Sequence, residues 1–256
     1  MLQVTPIPAF NDNYIWALQL PDSPLTIVVD PGDADPVEQY LQANNLKLHA
    51  IFVTHHHADH TGGVLELAKR HQTPVYGSHQ STFNGVTKPL NSGDRVELLN
   101  HTFEIAEVPG HTLDHISYFQ PAGEGQLFCG DTLFLAGCGR LFEGTPAQML
   151  SAMQYFKSLP ATTRVYCTHE YSLANLAFAE AVEPENEAIQ QRIEACRQKR
   201  SQDQPTLPST IGEELRINPF LRTDQPSVIS AAHRFDSTQG DEEDVFKSIR
   251  EWKNQF

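Results

Sequence analysis

A chain of 256 residues, 39% hydrophobic and 20% charged, can bury a sizeable core in one large domain or one and a half. Its formal net charge of −14 repels phosphate backbones, which argues against nonspecific nucleic-acid binding, and an anionic substrate has to be met by a local basic patch. No stretch approaches the roughly 20 apolar residues of a membrane span, and the start, Met1-Leu2-Gln3-Val4-Thr5-Pro6, is no leader, so the expectation is a cytoplasmic monomer without membrane or nucleic-acid partners.

Tyr14 to Leu20 and Leu25 to Val29 read as paired strands around a Pro21-Asp22-Ser23-Pro24 turn. Val37 to Leu46 has helical spacing. The apolar run Ala50 to Val53 ends in a polar cluster, Thr54 to Thr61, and Gly62-Gly63 leads into a helix pattern at Val64, Leu65, Leu67 and Ala68. Pro74 to Tyr76 reads as a strand. From Asp94 to Cys129 the pattern is mainly β, at residues 96–98, 103–108 and 115–119. Ala147 to Leu159 is helical and Arg164 to Thr168 is a last strand. Strands often follow strands directly, so two sheets with helices outside fit better than one parallel sheet.

Beyond His169 the texture becomes helical. Ile189, Ile193 and Cys196 share a helix face, with Pro184 near its start, and Gln202 to Ser209 carries two prolines and reads as a loop. Asp241 to Phe256 reads as a closing helix, acidic at its start and basic later. No strand signal appears here. The expected division is a first domain, 1–170, and a helical domain, 171–256.

The strongest chemical signal is Thr54-His55-His56-His57-Ala58-Asp59-His60, where an apolar strand ends and a helix begins. Ligands commonly gather beyond the C-terminal ends of strands in α/β sheets. In an extended loop His55 and His57 share one side, and the turn into the helix swings Asp59 and His60 toward a second point. Imidazole and carboxylate donors suit zinc, iron and manganese. His111 after Pro109-Gly110, Asp131 after Cys129-Gly130, and His169 after Thr168 repeat one design: apolar strand, break, ligand.

His49, His71, His79, His101 and His233 lack that context and read as surface residues. His56 points away from its neighbours in an extended loop, and His115 belongs inside a strand. Asp30, after Ile27-Val28-Val29, either orients a ligand or makes a turn. The four cysteines form no Cys-x-x-Cys pair and read as buried hydrophobes, with a nucleophilic role left open for Cys138. On the last helix Val245, Ile249, Trp252 and Phe256 make one stripe, flanked by Arg250 and Lys253. The helix either docks through that stripe and presents both cations, or exposes an ordinary charged face.

The histidine loop with its later His, Asp and His resembles the metallo-β-lactamase superfamily. Phe134 to Gly144, Thr168-His169-Glu170-Tyr171, Asn218-Pro219-Phe220-Leu221-Arg222 and Ile249 to Lys253 resemble, more closely, the glyoxalase II (hydroxyacylglutathione hydrolase) family. The resemblance spans nearly the whole chain. It implies an α/β fold, a four-layer αββα sandwich followed by a smaller C-terminal helical domain. It also implies two divalent metal ions, zinc first, with iron or manganese open. His55, His57 and His111 would hold one ion and Asp59, His60 and His169 the other, with Asp131 bridging and Asp59 also catalytic. Arg140, Phe142, Tyr171, Arg250 and Lys253 would bind a glutathione thioester. Some members carry Lys and Tyr where this chain has Arg140 and Phe142. The implied reaction is hydrolysis of S-D-lactoylglutathione and related S-2-hydroxyacylglutathiones, the second step of methylglyoxal detoxification. The alternative within the superfamily is a persulfide dioxygenase with a single iron, which would need neither His169 nor the helical tail.

Overall fold

A computed structural model describes residues 2–237 and 240–256. The chain opens with β1 (Gln3–Ala9), β2 (Asn13–Gln19), β3 (Leu25–Val29), α1 (Ala34–Ala43), β4 (Lys47–Phe52), α2 (Ala58–Thr61), α3 (Val64–His71), β5 (Val75–Ser78) and β6 (Lys88–Leu90). These six strands form one sheet in sequential order, antiparallel from β1 to β3 and parallel from β3 to β6. The central strands are apolar throughout because both faces are covered. Trp16, Leu18, Ile27, Val29 and Phe52 point into the core shared with the second sheet. Ile15, Ala17, Val28 and Ile51 point the other way, onto Val37 and Leu41 of α1 and Val64 and Leu67 of α3. β1 is not legible as a strand in the sequence because Pro6 and Pro8 interrupt it; as an edge strand it tolerates them.

The second half supplies β7 (Arg95–Leu98), β8 (His101–Glu107), β9 (Ile116–Gln120), β10 (Gln126–Gly130), a small hairpin of β11 (Leu133–Phe134) and β12 (Gly137–Cys138), α4 (Pro146–Lys157) and β13 (Arg164–Cys167). Then come α5 (Ser172–Val182), α6 (Glu187–Arg200), β14 (Ser209–Thr210), α7 (Ile211–Ile217), a 3-10 turn at Pro219–Leu221, α8 (Pro226–Asp236) and α9 (Glu242–Gln255). The second sheet runs β14-β13-β10-β9-β8-β7. It faces the first across an aromatic core in which Phe52 stacks on Tyr118 and meets Phe103 edge-on. α4 and the C-terminal helices extend this core through Met149, Met153, Phe156, Phe178, Phe220 and Ile249. The architecture is the expected αββα sandwich with a helical C-terminal segment.

That segment is not purely helical. Ser209–Thr210 pairs with Arg164 and Val165, so a two-residue strand, too short for any periodic signal, closes the edge of the second sheet. The stripe expected on α9 also differs. Phe246, Ser248 and Arg250 join Val245 and Ile249 on the buried side, while Phe256, beyond the helix end, is 62% exposed.

The two sheets are pinned together at one end. The Trp16 indole donates to Cys167 O at 3.0 Å, Tyr14 N to Thr168 O at 2.7 Å, and Ile116 N to Thr54 O at 2.9 Å. These bonds tie β2 to the end of β13 and the start of β9 to the loop after β4.

Candidate metal centre

The loop after β4 is fixed by Asp30, whose φ of 53° turns its side chain under it. Asp30 accepts from Thr54 N and Thr54 Oγ1, both at 2.7 Å, and its Oδ2 lies 3.0 Å from His60 Nδ1. The two readings of Asp30 therefore coexist: it makes the turn and it holds a histidine. Asp131 follows Gly130, whose φ of 47° and tight contact with Thr54 Oγ1 leave no room for a Cβ.

The structure brings all seven sequence-predicted donors into three overlapping groups: His55, His57 and His111; His55, His60 and Asp131; and Asp59, His60 and His169. Within each group the donor atoms lie within 4.8 Å of one another. His57 Nδ1 is 3.1 Å from both His55 Nε2 and His111 Nε2. The Asp131 carboxylate lies between the groups, 3.4 Å from His60 Nε2, 3.5 Å from His111 Nε2 and 3.3 Å from His169 Nε2. Asp59 Oδ2 stands 3.5 Å from His60 Nε2 and 3.4 Å from His169 Nε2.

The donor chemistry fits divalent ions. His60 Nε2 and Asp131 Oδ1 are buried with no hydrogen-bond partner, as atoms aimed at a cation should be. The far nitrogen of four rings is anchored, which fixes which nitrogen faces the centre. His55 Nδ1 sits 3.0 Å from Thr54 Oγ1, His60 Nδ1 on Asp30, His111 Nδ1 2.8 Å from Arg140 O, and His169 Nδ1 2.8 Å from Asp12 Oδ1.

Electrostatics divides the cluster. Burial holds His55, His57 and His111 below the usual imidazole range, leaving them neutral and ready to donate a lone pair. At His60 and His169 burial also opposes charge, but Asp131, together with Asp30 at one and Asp59 at the other, outweighs it; His60 is raised and His169 is pushed up to about 10. Asp131 is buried too, yet His60 and His169 hold its carboxyl well below the carboxylate range. The His169 hydrogen bond does the same for Asp59.

Sequence reasoning misses three residues of this site, or misses their role in it. Asp12 sits in the β1–β2 turn, where Asn11-Asp12-Asn13 reads as ordinary turn chemistry. Asn13 donates to Asp59 Oδ2 at 3.2 Å. His115 is fully buried just before β9; it stacks on His55 at 4.6 Å, and its Nε2 accepts from Asp131 N at 3.1 Å. Only tertiary contact distinguishes it from a strand histidine. His56 does point away, to Asp114 at 2.9 Å and Glu143 at 3.3 Å. His49, His71, His79, His101 and His233 stay outside the donor groups.

The expected substrate residues lie around the opening and behind it. Arg140 is exposed over the Phe142 ring, and Phe142, 61% exposed, stands edge-on to His57 and His111. Tyr171 stacks flat on His169 at 4.7 Å. Lys253 donates to Ala174 O at 3.2 Å above Phe178, and burial, with Arg250 beside it, lowers its pKa to about 8. Arg250 is only 6% exposed; its Nη1 donates to Cys138 O at 2.8 Å while its Nε has no partner. All four cysteines are free and buried. Burial pushes the Cys138 thiol up, against the pull of Arg250, which disfavours the nucleophilic thiolate.

Comparison with known proteins accounts for this arrangement. Residues 25–169 match the family model of the metallo-beta-lactamase superfamily, and residues 170–256 match that of the hydroxyacylglutathione hydrolase C-terminus. The hydroxyacylglutathione hydrolase of Hahella chejuensis is 51% identical over the full length of both chains. That of Pseudomonas aeruginosa is 52% identical, also over all of both. Among solved structures, the B3 metallo-beta-lactamase BLEG-1 shares the fold with a TM-score of 0.65, at 23% identity over 86% of this chain and 99% of that one. With both of its parts matched in order and relatives aligned end to end, the chain belongs to the hydroxyacylglutathione hydrolase family of the metallo-beta-lactamase superfamily.

Proposed function

We propose that the chain is a binuclear metal-dependent thioester hydrolase that cleaves S-D-lactoylglutathione and related S-2-hydroxyacylglutathiones to glutathione and the 2-hydroxy acid. The observation that carries this reading is the Asp131 carboxylate, within 3.5 Å of donor nitrogens from both histidine sets. His55, His57 and His111 would hold one ion, Asp59, His60 and His169 the other, with Asp131 shared and zinc the first choice. Bound divalent ions supply a nucleophile at neutral pH, by lowering the pKa of water from 15.7 to about 7, and polarise a carbonyl.

The chain's own residues do the rest. Asn13 holds the Asp59 carboxylate at 3.2 Å, so its free oxygen can orient the attacking water. Phe142 and Tyr171 wall the opening beside the histidines and keep bulk water from the thioester. Arg140 at the rim and Lys253 behind it meet the glutathione carboxylates, with Arg250 between the loop and the last helix. The leaving group is a thiolate with a reference pKa of about 8.5, so it departs without a proton donor. Residues 171–256 act as the substrate-binding domain. No helix of the described residues is long and apolar enough to cross a membrane. We assign the protein to the cytoplasm as a monomer.

Elemental analysis of the purified protein, with hydrolysis of S-D-lactoylglutathione followed with and without chelator, tests this. Two ions per chain and chelator-sensitive turnover are expected. One iron per chain, with oxygen consumed on glutathione persulfide and no thioester cleavage, would replace the reading by a dioxygenase.

A further inference from the structure

The hairpin of β11 and β12 turns through Leu135 and Ala136, and Ala136 is fully buried with φ at 51°. Two-residue hairpins usually place Gly, Asn or Asp at such positions. Leu135-Ala136 supplies none of that chemistry, so the turn must be held from outside. Its outside support comes from the C-terminal segment. Ala136 N donates to Glu214 Oε2 at 2.8 Å. Asn218 Nδ2 reaches Phe134 O at 3.1 Å, Gly137 O at 3.0 Å and Glu214 Oε2 at 3.0 Å. Asn175 Nδ2 donates to Leu135 O at 3.2 Å, and Arg250 Nη1 to Cys138 O. Asn218 Oδ1 accepts from Phe220 N at 3.1 Å, which fixes the direction of its amide. Glu214 and Asn218 are both fully buried.

The hairpin leads directly into the site. Gly139 N donates to Thr132 O, Arg140 O lies 2.8 Å from His111 Nδ1, and the side chains of Arg140 and Phe142 face the opening. We infer that Glu214 and Asn218 are positioning residues: by gripping the backbone of residues 134–137 they set where Arg140 and Phe142 meet the substrate. A buried polar pair of this kind acts by geometry, because each unmet backbone group in a buried turn is costly and the alternatives are few. The substrate part of the inference rests on the thioesterase reading above; the structural part does not.

The test compares metal-loaded wild type with Glu214→Ala, Glu214→Gln and Asn218→Ser. Kinetics on S-D-lactoylglutathione is read alongside hydrogen exchange of the peptide covering residues 133–142. Glu214→Ala should raise KM about fivefold or more, with kcat and metal content kept, and should speed exchange in that peptide selectively. Glu214→Gln retains an acceptor for Ala136 N and should restore both readouts. Asn218→Ser should behave like Glu214→Ala, and decides the matter should that variant not fold. Unchanged KM and exchange, exchange raised equally across the whole C-terminal segment, or a Gln variant as impaired as the Ala variant would each overturn the inference. If the wild type cleaves no glutathione thioester, the functional reading falls, and the exchange of residues 133–142 still decides the positioning role.

Discussion

Replacing Glu214 by Gln should change how the stability of this protein depends on pH, and the size of the change is set by burial. The side chain is fully buried, and desolvation pushes its pKa up to about 7 against the hydrogen bonds from Ala136 N and Asn218 Nδ2. An unfolded glutamate titrates near 4.3. Between those values the folded state keeps a proton that the unfolded state has lost, so stability is full below pH ~4.3 and falls as pH rises, until the loss is complete above about 7. At 1.36 kcal/mol per unit the total is on the order of 4 kcal/mol, of which about 2 kcal/mol falls between about pH 5.5 and about pH 8.5. Gln keeps the acceptor and carries no charge, so the variant lacks this term. Urea unfolding of both metal-loaded proteins at the two pH values measures it. The difference of differences cancels any pH-independent packing cost and any titration elsewhere that the two proteins share. Wild type should lose about 2 kcal/mol more than the variant on going to the higher pH. Parallel pH profiles would refute the reasoning, since they would mean that Glu214 is ionised without penalty.

Asp131→Ala removes the carboxylate between the two donor sets; metal content should fall below two ions per chain and turnover by more than about a hundredfold, beyond the 10–100-fold typical of an outer partner. Elemental analysis and steady-state kinetics check this. Asp12→Ala frees His169 Nδ1 and, on the proposed binuclear reading, should weaken one of two metal-binding steps by roughly 10–100-fold while leaving the other, as a chelator competition would read. Phe142→Tyr places a phenol at a ring that is 61% exposed beside His111, where a hydroxyl fits without repacking. One new hydrogen bond of about 0.5–1.5 kcal/mol would lower KM for S-D-lactoylglutathione roughly 2- to 10-fold, and an unchanged KM would show that the hydroxyl finds no partner there.

The donor cluster is legible in the sequence because its chemistry is written in short local signals. His55, His57, Asp59 and His60 are nearly contiguous after an apolar strand, and His111, Asp131 and His169 each come after a strand and a break. The pairing of β2 with β3, the two sheets and the closing helix are legible for the same reason: each carries its period over several residues. Features that depend on distant contact do not show. His115 has the sequence context of any strand histidine, and its place under His55 exists only once β9 lies beside the β4 loop. Asp12 is hidden in a turn that asks for Asp on its own account. The strands β11, β12 and β14 are two residues each, below the length at which alternation can be read.

Arg250 is the case in which helical spacing is informative and still incomplete. Spacing puts it with Lys253 on one flank of α9, and both do lie together against α5 and the 133–138 hairpin. Spacing cannot say that the hairpin carbonyl of Cys138 claims the guanidinium, leaving Arg250 buried and Lys253 nearer the solvent. The same hairpin ties the C-terminal segment to the metal-bearing part. Asn175, Glu214, Asn218 and Arg250 come from three stretches spanning 76 positions, yet all bind the backbone of five residues that lead directly to Arg140. A metal-bearing domain without that segment would keep its donors, since none of the seven lies beyond His169. It would lose the outside support of the loop that carries Arg140 and Phe142.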